Sequence, residues 1–137
     1  MSGKVRLGLG VLLAALASAQ QPQDSENFTG KAERLASNIP VRAARIRFDP
    51  GARTKWHIHE RGQMLLCEEG VARTQVQGHP VQELHPGETA YVPGGVPHWH
   101  GASAGQGTVL FSVDVSAGTT KWLGEVSDAE YRGAAKP

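Results

Sequence analysis

Seven turn signals constrain this chain more than any other feature. Asp49-Pro50-Gly51, Glu60-Arg61-Gly62, Glu68-Glu69-Gly70, Gly78-His79-Pro80, His85-Pro86-Gly87, Pro93-Gly94-Gly95 and the stretch from Gly101 to Gly107 cut it into short runs rich in Val, Leu, Thr and Tyr. Gly (17) and Pro (8) together occupy 25 of 137 positions, so long helices have no room, and short strands between frequent turns predict an all-β sandwich or barrel. A hydrophobic fraction of 39% over this length fits one domain with an ordinary core. The first strand pattern, Val41 to Phe48, alternates: Ala44, Ile46 and Phe48 share one face, Arg45 and Arg47 the other. Ser127-Asp128-Ala129-Glu130 has the form of a capping box and predicts one short helix within residues 127–137.

The first nineteen residues read as a cleaved secretory signal. Lys4 and Arg6 are the basic start, Leu7 to Leu16 is apolar, and Ala17-Ser18-Ala19 offers small residues for a signal peptidase. The apolar run is far shorter than the ~20 residues a membrane-spanning helix needs, so export is expected rather than anchoring. Cleavage after Ala19 leaves 118 residues and removes two basic side chains, taking the formal charge from +1 to −1. With charge spread this evenly, neither nucleic acid nor a membrane surface is expected as a partner. Residues 20–40 read as a linker and N-terminal arm, and 41–126 as the barrel. Cys67 is the single cysteine, which rules out an internal disulfide, and its run Met64-Leu65-Leu66-Cys67 predicts a buried, unreactive thiol.

Chemistry concentrates in two histidine pairs. His57 and His59 in Trp56-His57-Ile58-His59, and His98 and His100 in Pro97-His98-Trp99-His100, stand two apart, so each pair shares one face of a strand. Two in-phase pairs are hard to explain by packing and suggest a metal. Gln63 has matching parity, but four residues of straight strand would carry it ~13 Å past His59. If Glu60-Arg61-Gly62 turns the chain into a hairpin, the Gln63 amide oxygen can point back into the site. His79 and His85 each precede or neighbour a proline in a turn signal, where surface exposure is expected.

These residues carry a family resemblance. Gly51-x5-His57-x-His59-x3-Gln63-x6-Gly70 resembles the first cupin motif, and Gly87-x5-Pro93-x-Gly95-x2-His98 the second. The chain departs from the common pattern at Gln63, where cupins usually carry Glu, and at Ala102, where they usually carry Asn. Gly51 through His59, Gly62-Gln63 and His98-Trp99-His100-Gly101-Ala102 are similar to the bacterial manganese-dependent cupin hydroxynitrile lyases, as are Phe28-Thr29-Gly30 and Trp122 through Tyr131. The resemblance implies a small barrel of two antiparallel sheets. His57, His59, Gln63 and His98 match its metal ligands, and His100 matches a histidine that acts on the substrate. The implied reaction is reversible cleavage of an α-hydroxynitrile to an aldehyde or ketone and HCN, with His100 as general acid and base.

The Gln63 position has its own chemical consequence. Three imidazoles and an amide are all neutral, so a divalent ion keeps its +2 charge and is a stronger Lewis acid than it would be with a carboxylate ligand. Manganese tolerates this mixed set, and Fe, Ni or Zn also fit it. Lyase, isomerase or hydration chemistry is favoured over dioxygen activation. Ala44, Ile46 and Phe48, if inward, supply apolar walls for a small-molecule substrate. In Val109 to Val115 the odd positions are apolar, leaving Leu110, Ser112 and Asp114 on the other face. Asp114 is then either a carboxylate in the pocket or a solvated strand end.

Other readings of the same residues are a sugar-ring-opening isomerase-like cupin, a quercetinase-like dioxygenase, and a cupin that binds a metal or small ligand without turnover. Trp56 and Ile58 lie opposite the histidine pair and need a cover, either the arm from Phe28 to Pro40 or a second subunit, so a homodimer or homotetramer is expected. Trp99 points away from its flanking histidines, toward packing rather than substrate.

Overall fold

The computed structural model describes residues 27–35, 43–114 and 119–133. The signal segment, most of the linker and the first two residues of the expected strand 41–48 lie outside the described residues. Strands β1 (Phe28–Thr29), β2 (Ala32–Leu35) and β3 (Ala43–Phe48) are followed by β4 (Arg53–Thr54), β5 (His57–Ile58) and β6 (Gly62–Gly70). Then come β7 (Ala72–Val76), β8 (Gln82–Leu84), β9 (Thr89–Pro93), β10 (His98–Ala102), β11 (Thr108–Asp114), β12 (Lys121–Trp122) and the single turn of helix α1 (Asp128–Tyr131). The chain is mostly β, as the turn spacing requires. Ser127 caps α1 by accepting from the Glu130 backbone N–H while the Glu130 carboxylate accepts from the Ser127 N–H, which is the expected capping box.

Two antiparallel sheets face each other. The first runs β1-β4-β10-β5-β12, with β7 on the other edge of β10 and β8 beyond it; the second runs β2-β3-β11-β6-β9. The N-terminal arm is therefore structural where it is described, since β1 pairs with β4 and β2 with β3. Between the sheets, alternate residues of β3, β6 and β11 build one core: Phe48, Leu65, Cys67 and Leu110 are each at most 1% exposed. At ~1.5–3 kcal/mol for each fully buried large side chain, this interior supplies the main stabilising term. Cys67 is a free, buried thiol among these side chains. Arg45 and Arg47 point outward and pair with Glu68 at 2.7 Å and Glu69 at 3.4 Å.

A second core lies on the outer face of the first sheet. Trp56, Trp99, Val126 and Tyr131 pack there, with Val81 and Leu123 at the margin. The cover for Trp56 is thus the C-terminal segment of the same chain, and neither the arm nor a second subunit is needed to bury it. Tyr131 pins that segment: its hydroxyl donates to the Ala102 carbonyl at 2.7 Å, and the guanidinium groups of Arg53 and Arg73 lie 4.6 and 5.1 Å from its ring centre. Arg53 also donates to the Val126 carbonyl at 3.0 Å and to Asp128 at 2.8 Å. Trp99 is fully buried and its indole N–H donates to Gln75 at 2.9 Å, which confirms its packing role. No helix of the described residues is long and apolar enough to cross a membrane.

Candidate metal centre

The strand registers set the site. In the first sheet His98 pairs with His57 on β5 and with Val76 on β7, while Trp122 on β12 pairs with His57. In the second, Gln63 pairs with Asp114 on β11 and Val92 on β9. Side chains at directly paired positions share a face, so a row of histidines meets a row containing Gln63 and Asp114 across the barrel interior. The expected hairpin at 60–62 is instead a corner between sheets, because β5 and β6 do not pair with each other. Gln63 still reaches the site, but from the opposite wall. Gly62 makes that corner with a φ of 101°, and a Cβ there would lie 2.6 Å from the Val92 carbonyl oxygen.

Three imidazoles converge. Ligand atoms of His57, His59 and His98 lie within 4.8 Å of one another, and all three residues are buried. Each Nδ1 faces an acceptor: the Lys55 carbonyl at 2.9 Å for His57, the Val96 carbonyl at 3.1 Å for His98, and the Asp114 carboxylate at 3.3 Å for His59. A carbonyl or carboxylate oxygen only accepts, so the ring proton sits on Nδ1 and Nε2 keeps its lone pair. His59 Nε2 is buried with no partner. His98 Nε2 lies 3.1 Å from Gln63 Oε1, which places two lone pairs face to face. Convergent, unprotonated donors of this kind fit a divalent cation.

Electrostatics keeps the rings neutral. Burial pushes His57 well below the ordinary histidine range, helped by repulsion from His100 and His98, and lowers His98 to about 4. Burial also lowers His59, against the opposing pull of Asp114. A metal therefore displaces few protons from these rings near neutrality.

His100 is built differently. It is 2% exposed, its ring stands 5.2 Å from that of His57 and 5.9 Å, edge-on, from Phe48, and its Nδ1 has no partner. Burial drives its pKa well below the usual range, with His98 and His59 adding to the effect. Its backbone N–H donates to Thr54 Oγ1 at 3.2 Å, which ties β10 to β4 beside the site.

A cavity of about 100 Å³ opens onto these groups. Ala44 and Ile46 form its apolar wall, and Asp114 lines it beside Ser112, so the carboxylate belongs to the pocket. Phe48 does not line it; only 1% exposed, it sits behind His100 as a support. His79 and His85 are exposed and apart from the centre. Sequence reading passed over Thr54, Thr120 and Trp122 as cavity residues. Ser112 shares the parity of Asp114 and was findable by that rule, whereas Thr120 and Trp122 stand on or beside a two-residue strand, too short to show any alternation.

Residues 44–115 match the cupin domain family. The chain is 35% identical over 94 residues to an (R)-mandelonitrile lyase of Granulicella tundricola, an alignment spanning 67% of this chain and 72% of that protein. Its fold is similar to a cupin-like protein of Thermotoga maritima, at 34% identity with a TM-score of 0.69, over 82% of this chain and 90% of the other. A cupin-2 domain protein of Rhodospirillum rubrum, 19% identical with a TM-score of 0.60, shares the fold over 83% of this chain and 86% of its own. With the domain matched over more than half its length and the histidines in place at the barrel interior, the chain belongs to the cupin family.

Proposed function

We propose that this cupin is a metal-dependent lyase that reversibly cleaves an α-hydroxynitrile into a carbonyl compound and HCN. The observation that carries the reading is His100, a buried imidazole held neutral beside the metal centre with its Nδ1 unpartnered. His57, His59, Gln63 and His98 would hold a divalent ion, most readily Mn²⁺ with Fe²⁺, Ni²⁺ or Zn²⁺ as alternatives. Bound there, the ion supplies Lewis acidity for the charge that develops on cyanide or oxygen. The neutral imidazole of His100 takes the hydroxyl proton as the C–CN bond breaks and the carbonyl forms, then returns that proton to cyanide. Atoms and charge balance, and His100 ends as it began. Ala44 and Ile46 hold the organic substituent away from water.

Two features support an uncharged substrate. No lysine or arginine lines the cavity among the described residues, and Asp114 stands in it, so no cationic side chain there would pair with a carboxylate-bearing substrate. The relative named as an (R)-mandelonitrile lyase supports the same class. At about 100 Å³ the cavity is smaller than the ~300–1,000 Å³ usual for ligand pockets, which favours small aliphatic cyanohydrins over mandelonitrile. The test follows carbonyl release from acetone cyanohydrin and from mandelonitrile by Mn²⁺-loaded residues 20–137, against His100→Ala. Release that needs both the metal and His100 is expected; release unchanged in the variant overturns the assignment.

Export after Ala19 and assembly as a homodimer or homotetramer belong to the same proposal. The N-terminal pattern supports the first. The exposed cross-strand neighbours Met64 and Tyr91, 41% and 61% accessible, support the second. N-terminal sequencing of secreted protein and sedimentation test them.

A further inference from the structure

We infer that Asp114 is a positioning residue for the metal centre, its Oδ1 setting the amide orientation of Gln63 and the tautomer of His59 at once. The inference rests on the four-residue centre and not on the lyase reaction. Gln63 is 3% exposed, and its amide hydrogens find their partners within the protein. Its Nε2 donates to Ser112 Oγ at 2.8 Å and to Asp114 Oδ1 at 3.2 Å, which uses both amide hydrogens. Ser112 alone cannot choose the orientation, because a hydroxyl donates or accepts equally well. The carboxylate only accepts. A flipped amide would set Gln63 Oε1 against Asp114 Oδ1 and aim an N–H at the His98 lone pair, where no metal could then be held.

The same Oδ1 lies 3.3 Å from His59 Nδ1, which fixes the proton there and leaves the buried, partnerless Nε2 as the donor. Thr120 Oγ1, 3.5 Å from the same Nδ1, is a weaker second contact. Asp114 pairs with Gln63 within one sheet while His59 follows β5 of the other. One side chain thus coordinates the alignment of ligands delivered by opposite walls of the barrel.

The test combines Mn²⁺ titration calorimetry with imidazole ¹⁵N spectra of the metal-free chain at neutral pH. Asp114→Ala is expected to weaken Mn²⁺ binding by about 10–100-fold, as loss of an outer partner of a ligand does elsewhere. Asp114→Asn is expected to recover only part of that loss, because the asparagine oxygen can accept in place but the flipped amide can also donate, so it no longer enforces one orientation. The wild-type spectrum should show His59 protonated at Nδ1. An Nε2-protonated His59 in the wild type, or undiminished binding by Asp114→Ala, would overturn the inference. His98→Ala separates the failures: if it too binds Mn²⁺ normally, the centre itself is misassigned; if it alone loses binding, only the role of Asp114 falls. Asp114 ends β11 with its side chain 31% exposed, and the wild-type spectrum reads the tautomer without any variant.

Discussion

The sealed end of the barrel and its open end are made by the same strands, two residues apart. On β6, Cys67 and Leu65 lie in the apolar core and Gln63 in the centre; on β11, Leu110 gives way to Ser112 and Asp114. On β10, Ala102 is core while His100 and His98 are site. On β3, Phe48 is packed away and Ile46 and Ala44 face the cavity. Strands β6, β10 and β11 therefore pass from hydrocarbon to donor atoms on a single face, while β3 stays apolar and supplies the cavity wall. The polar end needs no separate elements; it inherits rigidity from the core two residues away, which is what a constellation of weakly bonded ligands requires.

The contrast can be broken from either end. The largest effect is expected at His100→Ala, roughly 10²–10⁴-fold in cyanohydrin turnover, with thermal stability changed far less. Leu110→Ala, the next residue but one from Ser112, should do the reverse. It costs roughly 2–5 kcal/mol in denaturant unfolding, while the folded fraction keeps its metal. A core loss that also abolished Mn²⁺ binding by folded protein would show that the two ends are less separable than the strands suggest.

Acid should act on the open end alone. Burial lowers His98 to about 4 in the folded, metal-free chain, so the unfolded chain binds more protons below its own value near 6.5. Stability is then complete above pH 6.5 and declines as pH falls toward 4, by roughly 3 kcal/mol from this residue. Urea titrations across that window should show the slope in the wild type and a shallower one in His98→Ala. The smallest effect is expected at Ile46→Val, about 1 kcal/mol in stability. It should also move substrate preference toward mandelonitrile by up to about tenfold, measured as a ratio of kcat/KM values.

What could be read in the sequence follows the same geometry. Alternation is a local property, so the strand Ala43–Phe48, the in-phase histidines and the parity of Asp114 with Ser112 were all visible. Which sheet a strand joins is not local. The turn at Glu60 to Gly62 looks the same whether it closes a hairpin or crosses between sheets, and only the pairing of β6 with β9 and β11 decides. The cover over Trp56 was missed for the same reason, since Val126 and Tyr131 lie some seventy residues further along. Phe48 shares the parity of Ile46 but sits deeper, and depth along a strand leaves no mark on periodicity.

The placement of β12 bears on how the molecule comes into being. The Trp122 ring lies 5.0 Å from that of His57, tilted against it, and Thr29 donates to Glu125, a partner 96 positions away. The first sheet is therefore finished by residues that follow the last histidine of the centre in the chain, and the pairing of β12 with β5, distant in sequence, is slow to form. A growing chain holds all four proposed donors long before it holds the strand that walls them in. The wall of the centre is thus completed after its donors exist, and a chain stopped before β12 would leave His57 without its Trp122 neighbour.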